Sequence, residues 1–142
     1  MINDWRVELG KIVDGRSKAT RAEIETARFA EFVNTVVKPA LEELAQELNQ
    51  HERTSIVRIT SASATITVSS GDTEEISFRI LSRSLPAGIV PYAEIRLHKG
   101  QRLVKSEAAF KSVNATFTID QVKASDIISC FLSYYRTALD RG

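Results

Sequence analysis

Arginines and one aromatic ring recur at alternate positions through the middle of the chain: Arg79, Arg83 and Arg96, with Tyr92 and His98 among them and Arg58 upstream. Guanidinium groups beside an aromatic ring suit a carboxylate, a phosphate or a nucleotide base. The plainer account is a solvated sheet face on which Glu75 and Glu94 neutralise the arginines across strands. Pairs of opposite charge are the normal finish of an exposed face, so that account takes precedence. The hydroxyl row within Thr60–Thr73 reads the same way, as an exposed strand kept from sticking.

The remaining reactive residues do not assemble into a known chemistry. His51-Glu52 begins like a zinc-protease helix, but the third position after Glu52 is Ser55 rather than histidine. His98 falls on an outward position beside Arg96, with no nucleophile of fixed place near it. Cys130 lies at the flank of an apolar helical stripe, where a thiol is inert packing. One cysteine and two histidines exclude a structural zinc cluster, and no cofactor or metal is implied. Glu42/Glu43 and Glu74/Glu75 are adjacent, and adjacent residues do not face one another on a helix or a strand. The glycines, at 10, 15, 71, 88, 100 and 142, are isolated, so no phosphate-binding loop is present.

The elements that must position these residues follow from periodicity. Ile24, Phe29, Phe32, Val33, Val36, Val37, Ala40, Leu41, Leu44 and Leu48 recur every three or four residues, which predicts one long helix over 17–50. Thr20-Arg-Ala-Glu23 has capping-box spacing for its start, with Ser17 as a competing cap. Pro39 predicts a kink near Val37–Pro39, with the stripe keeping its phase through it. Residues 1–16 are a short helix stopped at Gly15, or an arm that packs Trp5 onto the body or onto a second subunit.

After Glu52 the period becomes two. Strands are expected at Ser55–Thr60, Ala64–Ser69, Glu75–Arg83, Tyr92–Lys99 and Gln101–Ser106, with a further one at Val113–Ile119. Ser70-Gly71-Asp72 is a hairpin turn, and Pro86, Gly88 and Pro91 a stiff loop. Ile76, Phe78, Ile80, Ala93, Ile95 and Leu97 read inward; Arg79, Leu81, Arg83, Tyr92, Arg96 and His98 read outward. A last helix over 120–140 carries the stripe Val122, Ile127, Ile128, Phe131, Leu132, Tyr135 and Leu139, with Thr118-Ile-Asp-Gln121 as its capping box. The order predicts a two-layer α+β fold: an antiparallel sheet of five to six strands (53–119), with both helices on one face and the other face open.

At 142 residues, 43% hydrophobic and 26% charged, the chain reads as one domain able to bury its own core. Net charge is +1, which gives no global attraction for DNA or an anionic membrane. The charge is uneven: residues 1–50 are net −2, 51–111 net +3 and 112–142 neutral. No apolar run is long enough to span a membrane, and the start lacks the pattern of a secretion signal, so the cytoplasm is the expected compartment.

Functionally the pattern points to an interaction module rather than an enzyme. The expected partner is a protein or peptide, with self-association as a homodimer suggested by Leu81 and Tyr92 on the outer sheet side. The second reading is an anionic-ligand or nucleic-acid binder using Arg79, Arg83, Arg96, Tyr92 and His98. Helices on one side of an antiparallel sheet are shared by many small bacterial adaptors and secretion chaperones, an analogy of fold alone.

Overall fold

The computed structural model describes residues 5–86, 88–99, 101–110 and 118–140. Its first third is a helical rod. An α-helix, α1 (Trp5–Phe32), runs into a π-helical segment (Val33–Val37) and then into α2 (Lys38–Gln50). The rod starts earlier than the capping signals imply. Neither Gly15 nor the Ser17 and Thr20 caps interrupts it, so 1–16 is not a separate element where described. Breaking the rod at an exposed glycine would leave eight backbone groups without intrahelical partners, against about 1 kcal/mol for keeping the glycine helical.

Pro39 explains the π segment. In an α-helix the carbonyl of Thr35 waits for the amide of residue 39, and proline has none. The ladder instead widens one turn early: the Lys38 amide donates to the Val33 carbonyl, and the Thr35 hydroxyl donates to the Glu31 carbonyl at 2.8 Å. Pro39 then falls in the first turn of α2, where its missing N–H costs nothing. The widening also corrects the stripe. Phe29 and Leu48 are nineteen residues apart, which leaves them about 100° out of phase on a regular α-helix. The one extra residue of the π turn removes that difference. The stripe therefore does slip at the proline, and the backbone absorbs it. Phe29, Phe32, Val33, Val37, Ala40, Leu41, Leu44 and Leu48 are all buried, whereas Ile24, expected with them, is exposed.

Five antiparallel strands follow in sequential order: β1 (Thr54–Ile59), β2 (Ala64–Ser70), β3 (Thr73–Leu85), β4 (Gly88–Lys99) and β5 (Arg102–Ala108). The β2–β3 hairpin closes on the pair Ser70↔Thr73, with Gly71 at φ +60° supplying the left-handed position of the turn. Pro91 is not in a loop; it lies within β4 opposite Ser82. β5 extends only as far as the pair Ala93↔Ala108, so on that flank Pro91 occupies a sheet edge, where a missing amide is tolerated. Of the expected sixth strand, residues 113–117 lie outside the described residues, and Ile119 instead opens a 3-10 turn (Ile119–Gln121). The Thr118–Gln121 capping box is formed, the Thr118 amide donating to the Gln121 side chain at 3.0 Å, but it caps this turn and not the last helix. That helix, α3 (Ala124–Leu139), starts later, with the Lys123 amide donating to Asp126 at 2.9 Å.

The architecture is two-layer α+β. Ala64, Ile66, Val68, Ile76, Phe78, Ile80, Ala93, Ile95 and Leu97 form the inner sheet face and are fully covered. Phe78 meets Phe131 of α3 edge-on at 5.5 Å, and Phe131 stacks on Tyr135 at 5.3 Å. The stripe of α3 is turned from the expected one: Ile127, Phe131 and Ala138 face the core, and Leu132 and Leu139 are exposed. Tyr134 replaces Leu132 beside the core, which keeps the period near 3.6.

Candidate interaction surfaces

The strand register assigns each outward residue a place. One row crosses the sheet as Arg58, Thr65, Arg79, Glu94 and Glu107; the next runs Ile56, Thr67, Ser77, Arg96 and Lys105. Arg79 and Arg96 are diagonal neighbours on β3 and β4, roughly 7–8 Å apart at the backbone. Arg79 faces Glu94 and is exposed; Arg96 faces Lys105, a like charge, and is exposed. His98 lies further along β4, half-buried and opposite Leu103.

Arg83 is brought together with Tyr92 and Glu107. Its guanidinium lies 4.0 Å from the Tyr92 ring centroid and donates to Glu107 at 2.7 Å. The Glu107 hydrogen bond is the main cause that raises the pKa of Arg83, so the group stays charged. One face of the Tyr92 ring is therefore already occupied by a cation. Arg79, Arg96 and Lys105 remain as the less neutralised part of this surface.

Glu75 does not belong to it. The carboxylate expected to neutralise outward arginines is turned to the helical side and is 7% exposed, the only charged side chain among the described residues that is buried. Tyr135 of α3 donates to its Oε1 at 2.6 Å, and Arg53 Nε donates to the same atom at 2.9 Å. Arg53 reaches it from the end of α2. There Glu52 takes a left-handed φ of +62°, and the amides of Glu52 and Arg53 donate back to the carbonyls of Asn49 and Leu48. This is a Schellman cap with glutamate in the usual glycine place. The cluster ties the α2–β1 junction, β3 and α3 together. The Tyr135 hydroxyl is pushed up to about 12, by burial first and then by the hydrogen bond and charge of Glu75.

A bulge turns Glu75 inward. Register counts Ser69↔Glu74 but Val68↔Ile76, so Glu75 is an extra residue. The signal was present in the sequence. The two-residue turn pairs Ser70 with Thr73, and regular continuation would set inward Val68 opposite outward Glu75. Only an inserted residue reconciles the turn with the alternation.

The other exposed feature is on the rod. From Trp5 to Gly15, and again from Arg21 to Ile24, α1 is exposed. Trp5, Leu9, Ile12 and Val13 share one helical face, and Trp5 is 63% exposed. The Arg6 guanidinium lies 5.2 Å from the centroid of the indole ring. Trp5 is thus not packed onto the described part of the body.

Among the described residues, two shallow cavities lie against the rod. One of about 410 Å³ lies among Glu25, Thr26, Phe29, Ser61, Ser82 and Ile89, beside a hydrogen bond from Ser84 to Glu25 at 3.0 Å. The other, about 280 Å³, lies beside the π turn and the 2.8 Å ion pair of Arg28 with Asp120. Among the described residues no cluster of histidine, cysteine and carboxylate side chains could hold a metal ion, and no helix is long and apolar enough to cross a membrane. Comparison with known proteins found no family model, curated protein or solved structure that matches the chain.

Proposed function

We propose that this chain is a cytoplasmic interaction module that binds a protein or peptide partner and works as a homo-oligomer. The observation that carries the reading is the bare apolar face of α1. Trp5, Leu9, Ile12 and Val13 form a contiguous stripe that is half to two-thirds exposed, with no cover among the described residues. Contiguous apolar surface of this kind marks a contact site, whereas scattered single residues do not. The test is to size the full chain by multi-angle light scattering and to ask whether a protein is retained with it. A strict monomer that retains nothing overturns the proposal.

The open cationic sheet face supports a second reading, an anionic ligand or nucleic acid held by Arg79 and Arg96, with Arg83, Tyr92 and His98 at the margins. Arg96 beside Lys105 is the observation in its favour, since like charges set opposite one another are destabilising until an anion bridges them. Arg79→Ala with Arg96→Ala should then abolish binding of an oligonucleotide or inorganic polyphosphate, and binding by the parent chain should weaken steeply with salt. Unchanged, salt-independent binding by the double variant rejects this use of the face.

A further inference from the structure

The apolar face of α1 points away from the sheet that its own chain could offer. Phe29 is buried against the body, and Leu9 precedes it by twenty residues. At 100° per residue that puts Leu9 on the reverse side of the helix. Among the described residues nothing covers it. The segment Trp5–Ile24 projects over about 30 Å, and most of the stability of a protein helix comes from packing of its amphipathic face. Trp5, Leu9, Ile12 and Val13 are between half and two-thirds exposed, about 450 Å² of largely apolar surface on one copy. A stable interface buries about 800 Å² per partner, of which somewhat more than half is apolar. One copy of this face therefore supplies the apolar share of one side of a dimer interface.

We infer that the occupant is a second copy of this chain, its α1 packed antiparallel on the first, with Leu9 of each copy against Ile12 of the other. The inference rests on the interaction-module reading and names its partner. Antiparallel pairing sends the two sheet-bearing bodies to opposite ends of the helix pair, where they do not collide. The charges agree with that register. Arg6 falls beside Gly15 of the other copy and Glu8 beside Val13, so neither is set directly opposite a like charge. Trp5 lies over the ends of the contact, and each indole leaves water when the pair forms.

Trp5 is the sole tryptophan, so its emission reports this contact alone. Light scattering and tryptophan emission are followed together through a dilution series. The expected result is a dimer whose emission is blue-shifted when concentrated and shifts red in step with the fall in mass. Leu9→Glu with Ile12→Glu should give a monomer with red emission at every concentration. Lys11→Glu, on the side of α1 away from the stripe, should leave the dimer intact. Circular dichroism and the unfolding midpoint establish that each variant keeps its sheet. A dimer that survives the double substitution overturns the inference, because the contact then lies elsewhere. So does a parent chain monomeric throughout. A monomer whose emission shifts only with anionic lipid vesicles overturns it in favour of a lipid surface. A monomer that carries another protein, released by Leu9→Glu, overturns the second copy and leaves the interaction module standing.

Discussion

Removing the carboxylate of Glu75 should cost more stability than any outward charge substitution. Glu75→Ala deprives the Tyr135 hydroxyl of its 2.6 Å acceptor and Arg53 of its 2.9 Å one. Hydrogen bonds to a charged group contribute about 1.5–3 kcal/mol each. The Arg53 side chain is 29% exposed and also donates to the His51 carbonyl at 3.2 Å, so its share belongs at the low end. The total for Glu75→Ala is then about 3 kcal/mol, part of it the orphaned tyrosine hydroxyl. Glu75→Gln keeps an acceptor oxygen and loses only the charge, for about 1 kcal/mol. For a chain of 142 residues these correspond to falls in Tm of roughly 9 °C and 3 °C. Urea unfolding followed by far-ultraviolet circular dichroism measures both, and a double-mutant cycle with Tyr135→Phe should give a coupling of about 1–2 kcal/mol. A loss below about 0.5 kcal/mol for Glu75→Ala, or strict additivity with Tyr135→Phe, would refute the assignment of this cluster as the clasp between the layers.

Tyr135 also ties stability to alkaline pH. The free phenol ionises near 10 and the folded one near 12, so from pH 10 to 12 the unfolded chain binds fewer protons, and stability present below pH 10 is lost across that window. Tyr135→Phe should lack this part of the decline; identical pH profiles for parent and variant count against it. Burial pushes the Cys130 thiol up to about 11, so at pH 8 it should react with Ellman's reagent at least tenfold more slowly in the folded chain than in urea, and equal rates would show the site to be open. Glu52→Gly relieves the left-handed backbone at the end of α2 and should stabilise the chain by about 0.5–1 kcal/mol; a loss in the unfolding midpoint would mean that the glutamate side chain holds something there.

Local periodicity was enough to read much of this molecule. The alternation in Ala64–Ser69 and Glu75–Arg83 is short-range, and it correctly separated buried Phe78 and Ile95 from exposed Arg79 and Arg96. It failed where a distant partner or a backbone irregularity decided the outcome. Glu75 was misassigned because one inserted residue reverses the face of a strand. Gly15 and Thr20 look like helix punctuation, but each ending signal is worth about 1 kcal/mol, less than the hydrogen bonds a break would expose. Leu132 and Leu139 fit a helical stripe as well as Tyr134 and Ala138 do; only the position of Phe131 over Phe78 chooses between them. Tyr92 was placed on the right face, yet the covering of its ring by Arg83 depends on Glu107 of β5 holding the guanidinium there.

The π segment at Val33–Val37 carries a consequence for the far end of the rod. Because it is a single surplus residue in a continuous helix, it works as a rotational setting between the half of the rod that is packed and the half that projects. Deleting one residue from it, Asn34 for instance, would let the helix relax to uniform winding while the packed half stays fixed by its buried side chains. The projecting half would then swivel by about a sixth to a third of a turn about its own axis. A change invisible in composition, charge or helix content would so redirect whatever Trp5 touches.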